Sequence, residues 1–122
     1  MSAIELGGYL RGKALEYHEC IEACVVCLVA CEACSAACLA EQNVAMMVEC
    51  IRLDRDCADA CSNALRAMAR SGPMADELCR ACAAACDACA TECERHAAHS
   101  EHCRLCAAAC RACASECRKM VA

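Results

Sequence analysis

Between Cys20 and Cys38, six cysteines fall at separations of four, three, four, three and four residues. An alternation of three and four averages 3.5, the repeat that keeps one helix face turned toward the axis of a bundle. The rhythm recurs. Cys79, Cys82, Cys86, Cys89 and Cys93 follow it, and Cys103, Cys106, Cys110, Cys113 and Cys117 repeat it almost residue for residue. A sparser segment holds Cys50, Cys57 and Cys61. Such a chain has one consistent solution: several helices, each turning a row of thiols toward a shared interior.

Little else competes to fill that interior. The chain has 29 alanines and 19 cysteines but no Phe or Trp, so a core of interlocking Leu and Phe is not available. Ala, Leu, Glu, Arg and Met, all strong helix formers, dominate the rest. Glu41–Asn43 ends the first long segment, with Asn43 placed to cap the next. Gly72 suits a helix terminus, Pro73 a first helical turn, and Ser100 an N-cap. The sequence therefore predicts an all-α, antiparallel up-down-up-down four-helix bundle as one domain over 1–122, with helices near 14–40, 44–70, 74–97 and 101–120. A short extra helical piece is expected near 3–11.

The net charge of −5, with no basic stripe, argues against nucleic acid. No run of eighteen uninterrupted apolar residues occurs, so no membrane span is expected. The start lacks the pattern of a secretory signal, which places the chain in the cytosol by expectation. Cytosolic thiols are kept reduced, and 19 is an odd number, so a disulfide scaffold fits poorly.

Residues at i and i+4 on a helix stand about 5–6 Å apart at Cβ. Two thiolates at that spacing can grip one metal ion without help from another helix. Eight such pairs occur: Cys20/Cys24, Cys27/Cys31, Cys34/Cys38, Cys57/Cys61, Cys82/Cys86, Cys89/Cys93, Cys106/Cys110 and Cys113/Cys117. Cu(I) is soft and accepts two or three thiolates, whereas Zn²⁺ asks for four in a tetrahedron. One Cu(I) per thiolate brings a buried core near neutrality, while each tetrathiolate zinc site keeps two negative charges. The expected cargo is multiple Cu(I) ions, about one per cysteine. Bridged zinc clusters also lower the charge per metal, so a zinc or cadmium buffer stays open.

The repeated C-x-x-x-C pairs on four helices, the thiol-filled core and the missing signal resemble the cytosolic copper storage proteins. The resemblance spans Tyr17 to Met120. It implies a four-helix bundle that assembles as a homotetramer, folds without metal and holds many Cu(I) ions along its axis, with a few His or other ligands near one end. Helix two departs from full occupancy, with Leu53 and Asp54 where another cysteine would fall. A hard carboxylate suits Cu(I) poorly, so Asp54 is read as hydrogen-bonded or paired.

In the antiparallel arrangement one end collects Cys38, Met46, Met47, His96, His99, His102 and Cys103. His96 continues a stripe three residues after Cys93, and His99 lies four before Cys103. With Met46 they are candidate ligands at a loading mouth. His102 and His18 fall off the stripes and are expected on the surface. Met68 and Met120 are read as apolar plugs at the opposite end. Ile21, Val25, Val26, Leu28 and Val29 make the first helix apolar on several faces, which predicts a subunit interface and a homo-oligomer. Partners of such a store would be a copper chaperone or a cytosolic copper enzyme.

The competing class is a thiol redox protein, since C-x-x-C also recurs, as at Cys24/Cys27. Redox motifs of that type stand once, at a helix start after a strand. Repetition inside continuous helices argues against it and for binding without catalysis. Iron–sulfur runs lie on loops with a Pro-flanked fourth ligand, which this chain lacks.

Overall fold

The computed structural model describes residues 3–121. Four long helices carry the fold: α2 (His18–Leu39), α3 (Val48–Ala69), α4 (Ala75–His96) and α5 (Glu101–Met120). A single turn, α1 (Ala3–Leu6), precedes them, and no strand occurs among the described residues. Helix α2 packs against α3 and α5, and α4 packs against the same two, closing an antiparallel bundle. Short 3-10 segments, Gly12–Tyr17 and Val44–Met47, lead into α2 and α3. They account for the early starts expected near 14 and 44. The expected N-terminal piece is interrupted, because Leu10 and Arg11 adopt extended backbone.

Each cysteine stripe faces inward, as the 3.5 repeat requires. All nineteen cysteines are buried and free. Ala58, Ala64, Ala83, Ala90, Ala107 and Ala114 are buried beside them, and side chains this small let the helices approach closely. On the outer surface Arg111 ties α5 to α4. Its Nε and Nη2 donate to Glu94 at 3.0 and 2.8 Å, and its Nη1 donates to Asp87 at 3.2 Å. Arg118 joins the same Asp87.

The two ends differ. Opposite the histidines, Leu10, Ala14 and Tyr17 from the N-terminal segment are buried, as are Ala67, Met68 and Ala75, and Gly12–Tyr17 packs against α3. The plug expected of Met68 and Met120 is thus completed by residues before α2; Met68 is fully buried and Met120 is half-buried. The 28 residues of Gly12–Leu39 are long and apolar enough to cross a membrane. Their cysteine face is nonetheless spent on the bundle interior, and Val25, Val26 and Val29 stand exposed on the outer face.

The α3–α4 turn corrects one expectation. The residue in the left-handed region is Ser71, at φ 51°, not Gly72. Gly72 N–H reaches back to the Ala67 carbonyl at 2.8 Å and Ser71 N–H to that of Met68 at 3.1 Å, the paired bonds of a Schellman terminus. Gly72 thus sits one position beyond the strained one, and Pro73 precedes α4 rather than entering its first turn. Because a left-handed conformation costs a residue with a Cβ about 1–2 kcal/mol, Ser71→Gly should stabilise the metal-free protein. Part of the gain is cancelled by the freer unfolded chain. A urea midpoint raised by the equivalent of about 0.5–1 kcal/mol is the expected reading; an unchanged or lower midpoint would refute it.

Candidate metal centre

The thiols of four helices meet along the axis in overlapping groups of four, each with its sulfurs within 4.8 Å of one another. Cys24, Cys82, Cys113 and Cys117 form one group near the plugged end. Cys113 also belongs to the next, with Cys27, Cys61 and Cys86. Cys27 passes on to a group with Cys31, Cys57 and Cys110, and Cys31 and Cys110 continue into one with Cys89 and Cys106. Toward the histidine end stand Cys34, Cys50, Cys93 and Cys103. Cys20 touches Cys117 at 3.7 Å, and Cys38 touches Cys34 at 3.9 Å. Cys79, fully buried at the start of the α4 stripe, has Cys117 and Cys20 as its sulfur neighbours.

Individual Sγ–Sγ contacts run from 3.5 Å between Cys57 and Cys86 to 4.0 Å between Cys61 and Cys113. With metal–sulfur bonds of about 2.3 Å, sulfurs on a three-coordinate ion stand about 4 Å apart, and on a tetrahedral ion slightly closer. Spacing therefore admits Cu(I) and Zn²⁺ alike, and charge has to separate them. Five of the eight i, i+4 pairs read from the sequence are in contact at 3.9–4.0 Å: Cys27/Cys31, Cys34/Cys38, Cys82/Cys86, Cys89/Cys93 and Cys106/Cys110.

Asp54 occupies the vacant stripe position of α3 and is fully buried, while Leu53 is only half-buried beside it. Its Oδ1 accepts S–H bonds from Cys89 at 3.1 Å, Cys106 at 3.4 Å and Cys93 at 3.7 Å. Cys89 and Cys106 share one group and Cys93 belongs to the one near the histidines, and Cys89 and Cys93 are themselves in contact at 4.0 Å. The carboxyl thus accepts from thiols of both groups where they meet. Burial, reinforced by the neighbouring sulfurs, pushes Asp54 up to about 10, so it holds its proton at neutral pH.

Part of the thiol set is held protonated as well. Cys31, Cys61, Cys86 and Cys93 are pushed well above the ordinary thiol range, first by S–H···S bonds to Cys106 or Cys113 and then by burial. At the mouth, burial above all raises Cys38 and Cys103, taking Cys103 up to about 11. Burial works against the thiolate form at these positions, so a cation bound there must displace protons.

The mouth is arranged differently from the sequence expectation. His102, expected on the surface, turns its Nδ1 inward to 3.4 Å from Cys34 Sγ, 3.6 Å from Cys103 and 3.9 Å from Cys38. His99 is exposed. The stepping of four from Cys103 back to His99 assumes helix, yet α5 begins only at Glu101. Residues in the preceding turn do not share its face. His96 is buried, with Nε2 3.1 Å from Glu92 Oε2, and its ring meets that of His99 edge-on at 6.1 Å. Met46 stands 68% exposed on the 3-10 turn, and its neighbour Met47 is the buried one. His18, on the outside of α2, is half-buried near Glu22. A signal for His102 existed in the sequence, since it precedes a stripe cysteine at the open end of a helix. Periodicity alone could not use it.

The family model for copper storage proteins matches residues 13–122. The chain belongs to that family. Solved copper storage structures overlay it closely. A cytosolic copper storage protein from Streptomyces lividans, loaded with five coppers, is 42% identical, covers 89% of this chain and 94% of its own, and superposes with a TM-score of 0.85. The Cu(I)-bound storage protein BsCsp3 is 48% identical over 87% of this chain and 99% of its own, with a TM-score of 0.81. A metal-free copper storage protein 3 from Bacillus subtilis is 46% identical over 85% and 97%, with a TM-score of 0.77.

Proposed function

We propose that this family member is a cytosolic store that sequesters many Cu(I) ions on its nineteen buried thiols, without turnover chemistry. The observation that carries the reading is the overlap of four-thiol groups along one axis, sharing Cys113, Cys27, Cys31 and Cys110. Shared sulfurs suit bridged clusters of a monovalent cation, in which one ion per thiolate leaves the interior near neutral. All nineteen cysteines, Cys20 through Cys117, serve as ligands, with a capacity of about one Cu(I) each. The whole chain acts as one storage domain.

Loading takes place at the histidine end, because the other end offers buried apolar side chains, Leu10, Tyr17 and Met68, in place of ligands that exchange Cu(I). His96 is a ligand just inside this mouth. His99 and Met46, exposed on its rim, are transient first contacts, since imidazole and thioether exchange Cu(I) readily. The exposed valines of α2 form the interface of a homo-oligomer, and copper chaperones or copper enzymes are the natural exchange partners. A thiol redox role is disfavoured by burial: redox thiols sit in accessible, electropositive surroundings, and none of these is exposed.

Anaerobic titration of the reduced protein with Cu(I) under chelator competition, and then with Zn²⁺, tests the proposal. The expected Cu(I) endpoint lies near the 19 thiols of the sequence, with far weaker retention of zinc. Saturation after a few ions would defeat storage, and tighter zinc retention would favour a zinc or cadmium buffer.

A further inference from the structure

The mouth contains an arrangement that neither storage capacity nor bundle stability requires. Ser100 occupies the N-cap of α5, where a serine hydroxyl ordinarily accepts a bond from a backbone N–H of the first turn. Here the side chain makes no such bond. Ser100 is 5% exposed, and its Oγ lies 2.9 Å from His102 Nε2. From the opposite lip, just after α2, Glu41 brings Oε2 to 3.6 Å from the same Nε2. That oxygen is shielded from solvent and has no hydrogen-bond partner, a costly condition for a carboxylate. It stops a few tenths of an ångström short of the ring. With both groups on Nε2, the other ring nitrogen faces the sulfurs of Cys34, Cys38 and Cys103.

We propose that Ser100 and Glu41 are positioning residues for His102, holding its Nε2–H between hydroxyl and carboxylate so that the Nδ1 lone pair stays aimed at the outermost thiols. The proposal rests on the copper-storage reading. Neutral imidazole carries one N–H, so two acceptors on Nε2 select the tautomer whose Nδ1 is free to bond a soft cation. A cation bound at Nδ1 draws charge from the ring and makes Nε2–H a stronger donor. The orphan oxygen of Glu41 then gains its partner in the loaded state. Outer groups of this kind orient a metal-binding histidine and raise its basicity, and losing them typically weakens metal affinity 10–100-fold.

The test uses the full chain, reduced and oxygen-free, as wild type, Ser100→Ala, Glu41→Gln and the double variant. Chelator competition should show the first Cu(I) equivalents held about 10–100-fold more weakly by the double variant. The final endpoint should not change, and Ser100→Thr should restore the affinity lost by Ser100→Ala. Nitrogen-15 NMR of the histidine rings provides a readout that a merely structural role would not move. His102 should appear as the single Nε2–H tautomer in the metal-free wild type and as a mixture in the double variant. In a His102→Ala background, the two substitutions should have no further effect on the first equivalents. An unchanged tautomer and affinity, or an equal loss without His102, would overturn the proposal. Should the double variant melt, Glu41→Gln alone, on a half-exposed side chain, carries both readouts. A wild-type endpoint of only a few ions would sink the storage reading instead, so the two failures are separable.

Discussion

Asparagine in place of Asp54 is expected to stabilise the metal-free protein by about 3–4 kcal/mol at pH 7. The carboxyl is fully buried among thiols and is held at about 10, whereas in the unfolded chain it titrates near 3.9. Its folded-state value is raised, so the stability it contributes is complete below about pH 4 and is lost as pH rises toward 10. Each pH unit in that window costs about 1.4 kcal/mol, because the unfolded chain ionises freely and the folded chain does not. Roughly three units separate pH 4 from pH 7. Asparagine keeps the acceptor oxygen for Cys89 and Cys106 and has nothing to ionise. Its amide hydrogens find only weak sulfur acceptors, which trims the gain. For a chain of this size, the expected rise in melting temperature is on the order of 10–15 °C. Thermal unfolding of both proteins should show the gap closing as pH falls to 4. A gap that stays constant with pH would trace the gain to altered contacts, and no gain at pH 7 would remove Asp54 as a buried acid.

Alkaline conditions should act on the thiols with greater force. Cys31, Cys61, Cys86 and Cys93 keep their protons well above the ordinary thiol range, through shared S–H bonds and burial. The unfolded chain releases the same protons near pH 8.5. Stability held by these groups is therefore complete below about pH 8.5 and is lost above it, at about 1.4 kcal/mol per pH unit for each thiol. A handful of such thiols would remove within one unit a margin of the size that holds a typical domain together, about 5–15 kcal/mol. The metal-free protein should unfold cooperatively between about pH 9 and 11. The Cu(I)-loaded protein has already exchanged those protons and should show a flat profile over the same range. Urea midpoints of both forms, measured anaerobically from pH 7 to 11, test this. A metal-free protein indifferent to alkali would mean that its thiols ionise freely inside the bundle, contrary to the burial observed.

These two predictions concern the parts of the molecule that were most and least legible in the sequence. The cysteine stripes were fully legible, because within a helix a 3.5-residue repeat can face only one way. Every cysteine on that repeat reached the axis, and α5 begins and ends where its pattern does, at Glu101 and Met120. Asp54 was legible in position but not in consequence. Its separations of four from Cys50 and three from Cys57 put it on the stripe. That it accepts from three thiols and keeps its proton depends on Cys89, Cys93 and Cys106 arriving from other helices.

At the helix ends, extrapolation failed for a physical reason. A backward continuation of α5 would put His99 on the cysteine stripe, but the chain leaves helical geometry before Glu101, and His99 turns to solvent. His102, one residue from a stripe cysteine, reaches the thiols because Cys34 and Cys38 of α2 end their stripe beside it and Ser100 bonds its ring. Likewise Met47 rather than Met46 is the buried one, and Ser71 rather than Gly72 takes the left-handed turn. By itself, then, the sequence determined four helices, a sulfur interior and an asymmetry between two ends, since all three follow from periodicity and the placement of residue types along the chain. Which imidazole faces the sulfur, which oxygen is left without a partner and which groups share their thiols were decided only when separate helices met, because those contacts join residues far apart in the chain.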